Sequence, residues 1–205
     1  SFLGEPPKTA LLLDAVESDE IPASVFTARQ RDQLRRHSDP ALRARAEKLL
    51  AASGGDRMQA FEAAKSVLDL APSPENGRAL FSAHCASCHR LDRQGFIVGP
   101  ELVGMRHQPK EVLLLHVLHP NYEVAPAFTA YEIETRDGRT IVGLLASETE
   151  TSVTLRQAQG LEESIRRSDI AKISASSLSL MPDEFEKNMS PQQLADLISY
   201  LKGEQ

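Results

Sequence analysis

"LFSAHCASCHRL", residues 80–91, holds every cysteine of this 205-residue chain. Cys85 and Cys88 stand three apart, and His89 follows the second thiol directly. In a helix, positions i, i+3 and i+4 share one face, so the spacing predicts two thiols and an imidazole pointing the same way. Two such thiols can each add S–H across a porphyrin vinyl group, leaving the adjoining imidazole under the iron. Cys-x-x-Cys-His is the attachment signature of haem c for that reason.

Three other chemistries use cysteine pairs. A thioredoxin-like pair belongs beside a βαβ pattern, which the surrounding sequence lacks. A structural zinc takes four ligands; Cys85, Cys88, His116 and His119 supply the right atoms, but the histidines are more closely spaced than usual. A disulfide from Cys85 to Cys88 closes a very small loop and gains little stability.

An electron-carrying haem iron wants its sixth position filled, and a thioether does so while raising the reduction potential. The methionines are Met58, Met105, Met181 and Met189. Met181 lies in "SLSLMPDEF", a loop stiffened by Pro182, and is the expected ligand, with Met105, Met189 or a histidine as alternatives. The imidazole's other nitrogen also needs a partner to fix its tautomer. In "VGPEL" the Pro100 carbonyl can accept, and Gly99 lets the backbone come close.

Bulk composition narrows the field. The chain is 41% hydrophobic and 25% charged, with net charge −6. That charge disfavours nucleic acid and anionic membranes, and the scarcity of aromatics and absence of Trp disfavour a base-stacking platform. The longest apolar run, "VLLLHVL", falls far short of a membrane span. "SFLGEPPKTALLLDAVE" is not a signal peptide, because it lacks a basic start and Asp14 and Glu17 cut its apolar run. A removed leader or a longer parent protein both suit a chain that opens on Ser1.

Residues 7–70 read as four helices: "KTALLLDAVE", "TARQRDQLRRH" capped by Thr27, "SDPALRARAEKLLAA" capped by Asp39 and ended by Gly54 and Gly55, and "DRMQAFEAAKSVLDL". Seven Arg or Lys against three acids between Arg29 and Lys48 read as a solvated face, with a docking surface for an acidic partner as the alternative. "APSPENG", residues 71–77, marks the expected boundary between a helical region 1–72 and a domain 73–205. After Tyr122 the hydrophobic period changes from 3.6 to 2, and Asp137-Gly138 is a strong two-residue hairpin signal. Four or five short strands are expected within residues 123–178. A last helix follows in "SPQQLADLISYLK", with Ser190 as cap and Leu194, Leu197, Ile198 and Leu201 as its apolar stripe.

Taken together, "GRALFSAHCASCH", "GP.L", "MP" and "LADLISYL" resemble class I cytochrome c. A closer resemblance, over residues 75–203, is to the C-terminal haem-binding domain of large exported planctomycete and verrucomicrobial proteins associated with membrane-bound dehydrogenases. It rests on "CASCHRL", "GPELVG", "PKEVLLLHVLHPNYEV", "YEIETRDGRTIVGLLASETETSVTLRQAQG", "RSDIAKISASSLSLMP" and "LADLISYL". One departure is His119 before Pro120, where an acid is expected.

The resemblance implies a mainly α fold, that of class I cytochrome c. It carries a small antiparallel β insertion between the attachment motif and the axial methionine, and a helical N-terminal region precedes it. Gly77 and Phe81 would meet Tyr200 and Leu201 where the first and last helices cross. One haem c would hang from Cys85 and Cys88, with His89 and Met181 as iron ligands, Pro100 as the imidazole's acceptor, and Phe81 and Leu102 among the apolar residues of the pocket. Leu80, Phe96, Leu180 and Leu197 would complete that wall.

The expected role is single-electron transfer rather than catalysis. The chain would be the electron-accepting module of an exported dehydrogenase system, taking electrons from a dehydrogenase and passing them to a cytochrome or oxidase. Because haem c is attached outside the cytoplasm, the expected location is periplasmic or otherwise exported. The alternative is a gas or peroxide sensor, or a haem catalyst, with a labile sixth ligand and His107, His116 or His119 as distal groups. For the β segment the expected role is docking or assembly.

Overall fold

A computed structural model describes residues 3, 5–18, 20, 21, 26, 28–176, 178–183 and 185–204. The chain divides into two units, residues 1–60 and 61–205.

In the first unit, α1 (Pro6–Glu17), α2 (Ala28–Arg35) and the greater part of α3 (Pro40–Ala64) enclose Leu13, Val16, Leu34, Leu42, Ala46 and Leu50. Asp39 caps α3 as the sequence predicts, its Oδ1 accepting from the Ala41 amide at 2.8 Å. Arg45 fastens α3 to α1 through Asp14 at 2.6 Å and Glu17 at 2.7 Å. Thr27, the expected cap of α2, lies outside the described residues. The break expected at Gly54-Gly55 does not occur, and the third and fourth predicted helices are one. Each glycine inside a helix costs only about 1 kcal/mol relative to alanine, and the segments 48–52 and 57–64 on either side are rich in strong helix formers.

The second unit has a helical layer and a sheet. Helix α4 (Pro74–His84) starts at Pro74 with Ser73 as its cap, inside the segment 71–77 that reads as a loop. After it come a short ribbon of β1 (Arg90–Leu91) and β2 (Gln94–Gly95), then α5 (Lys110–Leu118). The sheet comprises β3 (Ala130–Thr135), β4 (Thr140–Glu148), β5 (Ser152–Arg156), β6 (Glu162–Arg166) and β7 (Ile170–Ala175). The chain closes with α6 (Phe185–Asn188) and α7 (Pro191–Lys202). A capping box between Ser190 and Gln193 begins α7, and Gly203 ends it in the left-handed region.

Helices α4 and α7 touch backbone to backbone. A Cβ on Gly77 would sit 2.0 Å from the Asp196 carbonyl oxygen and 2.7 Å from Tyr200 Cβ. One turn on, the fully buried Phe81 places its ring 5.7 Å from that of Tyr200. Asp196 is itself buried. Its carboxylate accepts from the Ser73 amide and Gln192 Nε2, each at 2.8 Å, and from Asn76 Nδ2 at 3.4 Å. A buried carboxylate is tolerable only when hydrogen-bonded in this way, and here the bonds tie the start of α4 to the middle of α7. Leu113, Leu114 and Leu118 of α5 complete this core with Leu194, Leu197 and Ile198 of α7.

The sheet is antiparallel throughout, in the order β6-β5-β4-β3-β7. A hairpin is present at the predicted place, but three residues, 136–138, rather than two join Thr135 to Arg139, with Gly138 at φ +89° and its amide on the Thr135 carbonyl at 3.0 Å. One face carries Ile133, Ile141, Val153, Leu155 and Ile165, which form a core of their own with Tyr131 and Ile170 of the same sheet packed against it. The expectation of a mainly α class I cytochrome with a small β insertion is therefore overturned. The chain combines a helical layer with a five-stranded sheet and a separate two-stranded ribbon. Alternation shows that a strand has one apolar face but not that the paired strands share a cluster of their own, as they do here.

The segment 102–108 is held from both sides. Arg106 clasps Asp92 through two bonds, of 2.9 and 2.7 Å, and Lys202 Nζ donates to the Arg106 and Gln108 carbonyls at 2.7 and 2.8 Å. The Arg106 guanidinium holds the Asp92 carboxyl below its ordinary range.

Gly77→Ala is expected to cost about 2–3 kcal/mol by forcing α4 and α7 apart, read as a lower denaturant midpoint. Gly104→Ala, where nothing lies within 4 Å of the new Cβ, should change stability by less than about 0.5 kcal/mol. Because Asp92 has a lowered folded pKa, its pairing stabilises the fold above the unfolded carboxyl value of about 4 and is lost as pH falls through the folded value. Arg106→Gln should remove that part of the acid limb of a stability–pH curve.

Candidate functional site

Helix α4 ends at His84, and the Cys85 amide still reaches the Phe81 carbonyl at 2.9 Å. The chain then makes one further turn, in which the Cys85 carbonyl accepts from the Cys88 and His89 amides at 3.0 and 2.8 Å. The thiols thus occupy a turn after the helix rather than the helix itself. The next carbonyls are drawn away from a helical ladder by the following loop. Ala86 accepts from Phe96 at 3.0 Å, and Cys88 accepts from Val98 and Gly99 at 2.9 and 2.8 Å.

That loop grips His89. Nδ1 lies 2.8 Å from the Pro100 carbonyl oxygen. A carbonyl only accepts, so Nδ1 carries the proton and Nε2 is left with its lone pair. Gly99 lies flat against the ring: a Cβ there would stand 2.6 Å from Cε1 and 3.1 Å from Nε2. Gly95, at φ +93°, passes so close that a Cβ would be 2.1 Å from the His89 carbonyl oxygen. Burial lowers the basicity of the ring, and the Pro100 carbonyl opposes it. Burial, with Cys88 nearby, pushes the Cys85 thiol up to about 12.

The two thiols have different surroundings. Cys85 packs against the helical core that contains Phe81 and Leu197, as do Leu80, Leu102, Met105 and Met181. Cys88 packs instead with Phe128 against Val98, Ala130 and Leu144, where the sheet meets the attachment loop. The β5–β6 turn adds a direct tie, for the Gln159 amide donates to the Ser87 carbonyl at 2.6 Å. Gln159 takes the left-handed conformation, with φ +61°, and Gly160 beside it faces the Phe96 ring. Sequence reasoning missed Phe128, Ala130, Leu144 and Gln159, whose alternation and turn signals say nothing of a distant neighbour.

Met181 is half-buried in the loop between β7 and α6. Its amide donates to Ser179 Oγ at 3.1 Å, and the Ser179 amide donates to Asn121 Oδ1 at 2.7 Å. Met189 is a core residue, 4% exposed, Met58 belongs to the first unit, and Met105 lies in the short 3-10 helix Leu102–His107. Of the expected apolar wall, Phe81 and Leu197 are fully buried, Leu80 and Leu102 are partly buried, and Phe96 and Leu180 are 46% and 37% exposed. The four atoms that a zinc would need do not assemble, as no group of three or more His, Cys, Asp or Glu suited to a metal occurs among the described residues.

Haem c suits what is present. Two thiols stand in one turn, and an imidazole seated on a glycine has one nitrogen committed to a carbonyl and the other available to iron. Within those residues, no helix is long and apolar enough to cross a membrane.

Residues 72–143 match the family model described as cytochrome C oxidase, cbb3-type, subunit III. The match spans about a third of the chain. It includes Cys85, Cys88, His89, Pro100 and strand β3, and it ends before Met181. No curated protein matches the chain. The family match supports a c-type cytochrome, with covalently bound haem, iron-based electron transfer and redox partner proteins as the general properties of such domains.

Proposed function

We propose that the chain is a monohaem c-type cytochrome that carries single electrons. The observation that carries this reading is the His89 ring, held by the Pro100 carbonyl at 2.8 Å and backed by Gly99, one residue beyond a Cys-x-x-Cys turn. Cys85 and Cys88 are the attachment thiols, each losing S–H as it forms a thioether to a vinyl carbon. His89 Nε2 and the Met181 sulfur are the iron ligands. When bound, the haem supplies a one-electron ferrous/ferric couple.

The remaining residues hold and dry the site. Pro100 fixes the imidazole's tautomer and raises its donor strength. Phe81 and Leu102 exclude water from one side, and a drier pocket shifts the potential. Residues 73–205 form the haem-carrying part, and residues 1–72 precede it as a helical region. The long C-terminal resemblance supports a place as the electron-accepting module of an exported dehydrogenase system, with a cytochrome or oxidase as acceptor. Covalent haem attachment outside the cytoplasm supports a periplasmic or otherwise exported location.

An absorption spectrum and a pyridine haemochrome of the matured protein test the reading, with two thioether links and a low-spin ferric form as the expected result. Met181→Ala should abolish the weak far-red sulfur-to-iron band, whereas Met105→Ala should keep it. Persistence of the band in the Met181 variant would overturn the ligand assignment. Rapid and complete carbon monoxide binding by the reduced wild-type protein would favour the sensor or catalyst reading. Gly99→Ala should displace the His89 ring from Pro100, weaken its donor strength and raise the reduction potential in a redox titration.

A further inference from the structure

We infer that Asn121 is the positioning residue for Met181, acting through Ser179. This rests on the reading of Met181 as an iron ligand. Asn121 follows α5 in a tight turn, where the Tyr122 amide donates to the His119 carbonyl at 2.9 Å. The His119 and Tyr122 rings meet edge to face at 5.7 Å, and α5 is anchored in the helical core by Leu113, Leu114 and Leu118. Asn121 therefore stands on a rigid base.

From that base its Oδ1 accepts the Ser179 amide at 2.7 Å, across 58 residues of sequence. The Ser179 hydroxyl in turn accepts the Met181 amide at 3.1 Å. A second anchor lies upstream, where the Ser176 amide donates to the Ala130 carbonyl at 2.7 Å. Ser176 Oγ also closes a local turn with the Leu178 amide at 3.0 Å. The loop is thus tied to β3 at Ser176 and to the end of α5 at Ser179, two residues before the thioether. Of these ties, only the one from Asn121 is made by a side chain reaching in from another element.

A methionine sulfur is a neutral ligand on a flexible stem, so its hold on iron depends on how little the backbone beneath it can move. Without Asn121, the Ser179 amide loses its partner and the loop gains freedom. External ligands should then displace the sulfur more readily.

The test is imidazole competition against the ferric holoprotein, read by loss of the far-red band, with amide hydrogen exchange at Ser179 and Met181 as a second readout. Asn121→Ala should bind imidazole roughly tenfold more tightly, the size of one lost hydrogen bond to a partly buried amide. It should also exchange both amides faster. Ser179→Ala should shift competition in the same direction, and Asn121→Asp, which keeps an acceptor oxygen, should behave as wild type. Equal imidazole affinity and exchange in wild type and Asn121→Ala would overturn the inference. If Asn121→Ala does not fold, Ser179→Ala and Asn121→Asp decide by the same readouts. A wild-type protein with no far-red band would instead sink the Met181 assignment itself.

Discussion

The site depends on one hydrogen bond, from His89 Nδ1 to the Pro100 carbonyl. It settles which nitrogen bears the proton, and so which is free. It also draws the loop after the attachment turn back across the ring. Gly99 makes that return possible, since any side chain there would drive the ring away. The Phe96, Val98 and Gly99 amides then satisfy carbonyls that a continuing helix would have used. The helix end, the turn of thiols and the imidazole's orientation are thus one arrangement.

Around it, two layers share the work. The helical layer is fixed by the close approach at Gly77 and by the buried Asp196, whose partners come from α4, its cap and α7. The sheet has its own interior, yet it touches the attachment loop in two ways. Val98 and Cys88 pack with Ala130, Leu144 and Phe128, and Gln159 bonds to Ser87. Through Ser176 it also steadies the loop that carries Met181. A role in supporting the site thus stands beside the docking role expected of this segment.

Local chemistry was legible in the sequence. Asp39 and Ser190 cap helices, Gly138 turns a hairpin, and Leu194, Leu197 and Ile198 face a core, each because of its immediate neighbours. The cysteine and histidine spacing singled out the candidate site for the same reason. Non-local relations were not legible. Gly54 and Gly55 read as a stop because a sequence does not show how strongly flanking turns propagate a helix. The sheet read as a small insertion because alternation gives the period of a strand but not that the paired strands build a core of their own. Asn121 and Gln159 carry no signal, because an amide side chain in a loop looks the same whether or not a partner waits 58 residues away.

The split setting of the two thiols has a mechanical consequence. Cys85 belongs to the helical core and Cys88 to the cluster beneath the sheet. A rigid planar group bonded to both sulfurs would rivet the seam between these layers. The cofactor would then be part of the masonry as well as its cargo, and the two layers would come apart together or not at all.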